Sequence, residues 1–298
     1  MLNKIKNLIN NRRTYGTFGV LKFYFKNVAF GEQLPLNTIS LAKIIIQDSL
    51  NLYSLKVLFK KLLADLHIIP KISVIMSVYN GENYLKESIE SILSQDFKNF
   101  EFLIVDDGSN DKSYTILKGY AKNNKRIKIF KNNDNLGLTK SLNLLLNHAK
   151  APYIARMDSD DISLPTRLSK QYKFLSQNKD IFLVGTRAFN INSKGKIISH
   201  PILPTNSIEI SDTLPKINCI HHPTIMFRNE GYSYREKFIY AQDYDFYLNL
   251  LSAEKNFYNL KEPLLKYRIT EDSVSHRESL KQRKFAKEAR KFYLERVK

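Results

Sequence analysis

Three aspartates, Asp158, Asp160 and Asp161, fall within four consecutive positions of the stretch Tyr153 to Pro165. Carboxylates this close repel one another unless a cation or solvent separates them. Hard oxygen donors suit magnesium or manganese, which one or two carboxylates commonly hold while substrate phosphates complete the shell. The stretch therefore reads as a metal–diphosphate site. It reads equally as a solvated acidic turn that caps a helix through Asp161 or Ser163. A second cluster, Asp106-Asp107-Gly108-Ser109-Asn110-Asp111, offers acids that could accept hydrogen bonds from a base N–H or a ribose hydroxyl. Its glycine would let backbone come close to a ligand, although Asp-Gly-Ser is also an ordinary turn with Ser109 or Asn110 as a helix cap. Later in the chain, Gln242-Asp243-Tyr244-Asp245 precedes the helical face Phe246, Leu250 and Leu251, where Asp243 could serve as an N-cap. His221 and His222 lack a third ligand at a recognisable metal spacing, so structural or substrate-contacting roles suit them better.

These residues need a frame. Ile72 to Val78 is apolar, rich in β-branched residues and broken by Asn80-Gly81, which predicts a strand. Glu82 to Gln95 carries Leu85, Ile89, Ile92 and Leu93 on one helical face. Strands at Phe100 to Val105, Arg126 to Phe130 and Tyr153 to Met157 then alternate with helices at Lys112 to Asn123 and Thr139 to Ala149. The βαβαβαβ order predicts an α/β fold with a mostly parallel, doubly wound central sheet and helices on both faces. Ligands of such sheets bind beyond the carboxyl ends of the strands, where Val78 to Glu82, Asp106 to Asp111 and Asp158 to Asp161 all fall. After Pro165 come a helix to about Gln177, a strand at Phe182 to Gly185, and a hairpin over Phe189 to Ile198 with Ser193-Lys194-Gly195 at its middle. Lys266-Tyr267-Arg268 ends the compact part, and Leu280 to Val297 reads as a basic helix.

The 298 residues carry a formal charge of +18 and one cysteine, Cys219, which excludes an internal disulfide framework and suits a reducing compartment. Neither a cleaved secretion signal nor a membrane-spanning segment is expected. The charge is heaviest at the ends: residues 1–70 hold ten Lys or Arg against three acids, and residues 276–298 hold nine against three. Without a helix-turn-helix, zinc-finger or RNA-recognition signature, an anionic membrane surface suits these flanks better than nucleic acid. Leu55, Leu58, Phe59, Leu62, Leu63 and Leu66 recur at helical spacing opposite Lys56, Lys60 and Lys61. This amphipathic helix would either lie on a bilayer or pack on the next domain. No Gly-x-Gly-x-x-Gly and no phosphate loop ending in Gly-Lys-Ser/Thr occurs, which removes the usual support for dinucleotide oxidoreductases and P-loop hydrolases.

Together, Ser73 to Asn80, the Asp106-Asp107-Gly108-Ser109 turn, Asp158-Ser159-Asp160-Asp161 and Asp243-Tyr244-Asp245 resemble the family 2 glycosyltransferases of the GT-A fold, over about residues 71–275. The resemblance implies a nucleotide-binding half (71–165) and an acceptor half (166–275), flanked by a helical extension (1–70) and a basic C-terminal helix (276–298). It implies nucleotide contacts at Val78, Tyr79, Asn80, Glu82, Asp106, Asp107 and Asp158, with Tyr79 and Glu82 near the base and Asp107 on the uracil or ribose. It makes Asp158 and Asp160 an Asp-x-Asp pair for Mg²⁺ or Mn²⁺, Asp160 in direct contact, and Asp243 the general base, at a position where many relatives carry Glu-Asp and this chain has Gln242-Asp243. Asp161, His222 and Arg268 become sugar or acceptor contacts.

The implied reaction is inverting, non-processive transfer from a nucleotide sugar, a UDP-sugar by expectation, to a hydroxyl of a glycan or lipid-linked acceptor. It would run in the cytoplasm, peripheral to the inner face of the membrane, in the synthesis of bacterial surface polysaccharide. A nucleotidyltransferase, or a catalytically dead sugar-nucleotide-binding scaffold at the membrane, are the rival readings. The first lacks a Gly-rich loop with a basic signature after the first strand and leaves Asp243 without a task; the second is opposed by the retention of all the acids.

Overall fold

The computed structural model describes residues 69–270 and 278–297, with a few positions between 57 and 65. Ile72–Ala149 and Tyr153–Lys298 form one compact unit; Met1–Lys71, with Lys150–Pro152, falls in a second. The amphipathic pattern over residues 55–66 therefore lies mostly outside the described residues. No helix among the described residues is long and apolar enough to cross a membrane.

Among the described residues a nine-stranded sheet forms the frame. Its first half is the expected alternation: β1 (Ile72–Val78), α1 (Leu85–Leu93), β2 (Phe100–Asp107), α2 (Ser113–Asn123), β3 (Ile127–Asn132), α3 (Leu138–His148) and β4 (Tyr153–Asp158). These strands lie in the order β3-β2-β1-β4 and are all parallel, so the chain reverses its direction of travel between β1 and β4. A crevice opens at such a switch point, outside the carboxyl ends of the strands. Ser77 of β1 is in register with Asp158 of β4, and Val78 with Asp106 of β2. The three acidic clusters are thereby set side by side at one edge.

Side chains alternate across the strands. Val74, Met76 and Val78 meet Leu85, Ile89 and Ile92 of α1 on one face, while Ile75, Leu103 and Val105 meet Leu142 and Leu145 of α3 on the other. Burial on both faces explains why β1, β2 and β4 read as near-continuous apolar runs.

The second half is mixed. After β5 (Ile162–Ser163) and α4 (Arg167–Gln177), the sheet continues with β6 (Ile181–Ile191), β7 (Ile197–Ser199), α5 (Ser207–Thr213), a 3₁₀ turn (His222–Thr224), β8 (Met226–Arg228), α6 (Gln242–Ser252) and β9 (Asn256–Arg268). β8 runs antiparallel to both β4 and β6, and β6 pairs in parallel with β9 over most of its length. The strand expected at Phe182 to Gly185 is thus the start of an eleven-residue strand. The hairpin expected over Phe189 to Ile198 is present, Ile191 of β6 opposing Ile197 of β7. The final helix, α7 (Ser279–Arg296), is basic on its surface yet sends Phe285, Ala289 and Phe292 into the core beside Phe238. It packs on the compact unit.

Candidate active site

The loop after β4 is built from below. Ser88 of α1 donates its hydroxyl to the Asp158 carbonyl at 2.7 Å. Gly81 stands so close that a Cβ there would meet the Ser159 hydroxyl at 3.3 Å. Arg268, at the end of β9, donates Nε to the Asp160 carbonyl at 2.7 Å and its backbone N–H to the Asp161 carboxylate at 2.8 Å. Held this way, Asp158, Asp160 and Asp161 each present a carboxylate oxygen within 4.8 Å of the others.

Buried positive charge sets the electrostatics. Arg156 projects from β4 two residues before Asp158, so both leave the same face of the strand, and its two Nη atoms engage both Asp158 oxygens. Arg156 is buried, and its field also reaches Asp161, His222, Tyr234 and Asp243. Arg167 of α4 lies beneath, fully buried, donating to Ser163 Oγ and to the carbonyls of Arg156 and Pro223 at 2.8–3.0 Å. With neutral oxygens and the Met157 sulfur as its hydrogen-bond partners, burial lowers this guanidinium to about 9 against the pull of Asp161.

Burial, then the neighbouring Asp158, pushes Asp160 up to about 6 against the pull of Arg156 and Arg268. Asp161 is raised further by burial and by the other two acids. One Asp161 oxygen, Oδ2, meets no donor among the described residues. A crowded, undercompensated set of hard oxygen donors is what a divalent cation would satisfy, so these residues fit one.

The nucleotide side is cross-braced. Asn80, at the end of β1 with φ of 50°, takes a hydrogen bond from the Asn110 N–H at 2.9 Å and donates its own N–H to Ser109 Oγ at 3.0 Å. The Glu82 carboxylate accepts from the Lys112 N–H at 2.9 Å, while the Glu82 N–H donates to Asp111 at 3.0 Å. Asn80 and Glu82 thus tie the β1–α1 and β2–α2 loops together, and Tyr79, just before Asn80, stays half exposed.

The two acids of β2 divide their labour in a way the sequence did not suggest. Asp107 accepts from the Asn132 side chain and from the Leu136 and Gly137 N–H groups at 2.7–3.0 Å, which fixes the loop before α3. Asp106, the acid in register with Val78, is fully buried, and neither of its oxygens meets a donor among the described residues. Gly108, with φ of 73°, is demanded by that same loop: a Cβ would lie 2.6 Å from the Asp134 carbonyl carbon. The close approach expected of this glycine is to the chain's own backbone.

Asp243 lies in the first turn of α6. The N-cap is Ala241, in left-handed conformation with φ of 52°, so Asp243 is not the cap. Its Oδ2 accepts from Asn218 at 2.9 Å, and burial raises its carboxyl above the usual range despite the Tyr244 N–H, Arg156 and Asn218. Asp245, two positions on, is spent on Arg235.

Three expected contacts have other occupations. Arg268 commits four of its five guanidinium N–H groups to the carbonyls of Asp160, Asn192 and Ser193 and to Glu87, so it holds the loop. Asp161 is buried against the Arg268 backbone. His222 is buried, bonded through Nε2 to the Tyr234 hydroxyl at 2.7 Å and kept neutral by burial and by Arg156. His221 is the histidine with capacity: it stacks on Tyr267, and its Nε2 has no partner among the described residues.

Comparison with known proteins gives the same picture. The model of the family described as Glycosyl transferase family 2 matches residues 73–234. An uncharacterised glycosyltransferase of Methanocaldococcus jannaschii is 41% identical over 206 residues, covering 67% of this chain and 71% of that protein. The O-antigen biosynthesis glycosyltransferase WbnJ of Escherichia coli is 38% identical over 217 residues, covering 70% and 84%. Among solved structures, TarS 1–349 of S. aureus in complex with UDP-GlcNAc superposes with a TM-score of 0.58 at 21% identity, over 68% of this chain. This chain spans 60% of that one, less than two thirds of its length. The mannosyltransferase PcManGT of Pyrobaculum calidifontis, in complex with GDP-Man and Mn²⁺, gives 0.52 at 15% identity over 82% of this chain and 71% of that one. At these identities the structures speak for the GT-A fold alone. The family match spans more than half of the chain and carries the acids at the ends of β2 and β4, and on that ground this protein belongs to glycosyltransferase family 2.

Proposed function

We propose that this glycosyltransferase moves a sugar from a nucleoside diphosphate sugar, a UDP-sugar, to a hydroxyl of a glycan or lipid-linked acceptor, with inversion at the anomeric carbon. The observation that carries this reading is the meeting of the Asp158, Asp160 and Asp161 carboxylates at the mouth of the β1–β4 crevice, with the buried Asp106 at the next strand end. Asp160 and Asp158 would hold Mg²⁺ or Mn²⁺, which when bound supplies Lewis-acid stabilisation to the leaving diphosphate. Arg156 orients Asp158, and Arg268 fixes the backbone that carries Asp160. Tyr79 and Asp106 line the nucleotide side.

Asp243 takes the proton from the attacking hydroxyl. Its raised affinity for protons suits that task, because a base works best with a pKa nearer the working pH. Direct attack assisted by one base inverts the anomeric centre. The likeness to an O-antigen enzyme supports a place in bacterial surface polysaccharide synthesis. Thermal stabilisation against a panel of nucleotide sugars, with and without manganese, tests donor and metal together. Release of free nucleoside diphosphate upon addition of acceptor then distinguishes transfer from binding. A panel in which no nucleotide sugar raises the melting temperature, with or without manganese, contradicts the reading.

A further inference from the structure

The hairpin of β6 and β7 stands out from the rest of the surface. β7 is three residues long, pairs only with β6 among the described strands, and is exposed throughout. Successive strand residues point to opposite faces, and both Ile197 (48% exposed) and Ile198 (54%) are open, so the strand projects clear of the sheet on both sides. Ile202 (80%) follows in the connection, and Ile208 (75%) in the first turn of α5. A soluble surface normally guards such an edge with charge of either sign. Here the charge has one sign only: residues 181–208 contain Arg187, Lys194, Lys196 and His200, and no Asp or Glu at all. The next acid, Glu209, is exposed and accepts from the Thr205 N–H and the Asn206 side chain at the start of α5. Among the described residues no carboxylate pairs with Lys194 or Lys196.

We propose that this hairpin is a docking surface for an anionic lipid bilayer, with Ile197, Ile198 and Ile202 entering the interface and Lys194 and Lys196 meeting the headgroups. Apolar side chains beside lysines, with acids excluded, are the combination that binds such an interface. The hairpin is also tied to the reaction centre. One guanidinium, that of Arg268, donates to the carbonyls of Asn192 and Ser193 in the turn and to that of Asp160. A membrane held at the turn would therefore lie one side chain away from the acidic loop, where a lipid-linked acceptor has to arrive. That last point rests on the transfer reading of the acidic loop; the lipid contact itself does not.

The test is co-sedimentation of the full chain with phosphatidylcholine vesicles with and without phosphatidylglycerol. The chain is expected to pellet with the anionic vesicles, and Ile197→Ser/Ile198→Ser and Lys194→Gln/Lys196→Gln each to weaken that binding about tenfold or more. Melting temperature and UDP-induced stabilisation report on the integrity of the folded variants. Failure of the parent to bind anionic vesicles, or binding by both variants as strong as the parent's, overturns the proposal. So does an altered sedimentation coefficient of the isoleucine variant with vesicle binding unchanged, which would assign the edge to a second copy of the chain. Vesicle binding needs neither donor nor acceptor, so its outcome is independent of whether the transfer reading stands.

Discussion

Arg156 and Asp158 stand two residues apart on one strand, and the guanidinium of the first grips both carboxylate oxygens of the second. Removing the cation would leave three crowded carboxylates with less counter-charge. Arg156→Met is expected to cost about 3 kcal/mol, the lower end for breaking a buried pair, because Asp158 is 27% exposed. Manganese should recover part of that loss by supplying the missing positive charge. Urea unfolding with and without Mn²⁺ measures both effects; equal loss in the two conditions would contradict a metal at this loop.

Asp106 and Asp107 should respond in opposite ways. Asp107→Ala removes the acceptor for two backbone N–H groups and one side-chain amide, and is expected to destabilise the protein by roughly 2–4 kcal/mol. Asp106→Asn alters a buried carboxyl whose oxygens meet no donor among the described residues, and should leave stability within about 1 kcal/mol while weakening UDP binding at least tenfold. Paired urea melts and UDP titrations separate the two roles.

For Asp243, Asp243→Asn is expected to lower turnover by about a hundredfold or more while leaving donor affinity unchanged. Loss of the Asn218 hydrogen bond takes away a group that favours the charged carboxylate. Asn218→Ala should therefore shift the acid limb of the turnover profile to higher pH, and a shift to lower pH would remove Asp243 from the role.

Asp160 gives a pH dependence of known sign. Its folded value of about 6 lies above the ordinary 3.8, so between those pH values the folded chain keeps a proton that the unfolded chain has released. Without metal, the stability contributed by this group is full below about pH 4 and is lost as pH rises through about 6. A cation at Asp160 must displace the same proton, so apparent manganese affinity should fall by up to about tenfold per pH unit below pH 6 and level off above it. Calorimetric titration across that range checks the slope.

β1, β2 and β4 were legible because each is buried on both faces, and α1 because Leu85, Ile89 and Ile92 form one apolar stripe; β3, with Lys128 and Lys131 exposed, followed from its place in the alternation. β9 was not, because Lys261, Glu262 and Pro263 interrupt its pattern where its register against β6 shifts. Only long-range pairing makes it one thirteen-residue strand. The acidic loop was legible from its composition. Its counterions were not: Arg268 reads like a free cation at a chain boundary until β9 brings it under Asp160. Arg156 had a signal that could have been read, a lone charge inside an apolar strand, two residues before an acid and so on its face. The division between Asp106 and Asp107 depends on where the residue 134–137 loop folds back, which no local pattern encodes.

Calorimetric titration of UDP into the parent and into Asp160→Asn, each with and without Mn²⁺, bears most directly on the loop after β4. The account predicts that manganese strengthens UDP binding by the parent tenfold or more, and that this gain disappears in the variant while its melting temperature stays at or above the parent's. Equal UDP affinity with and without manganese, or an undiminished manganese effect in the variant, would contradict it.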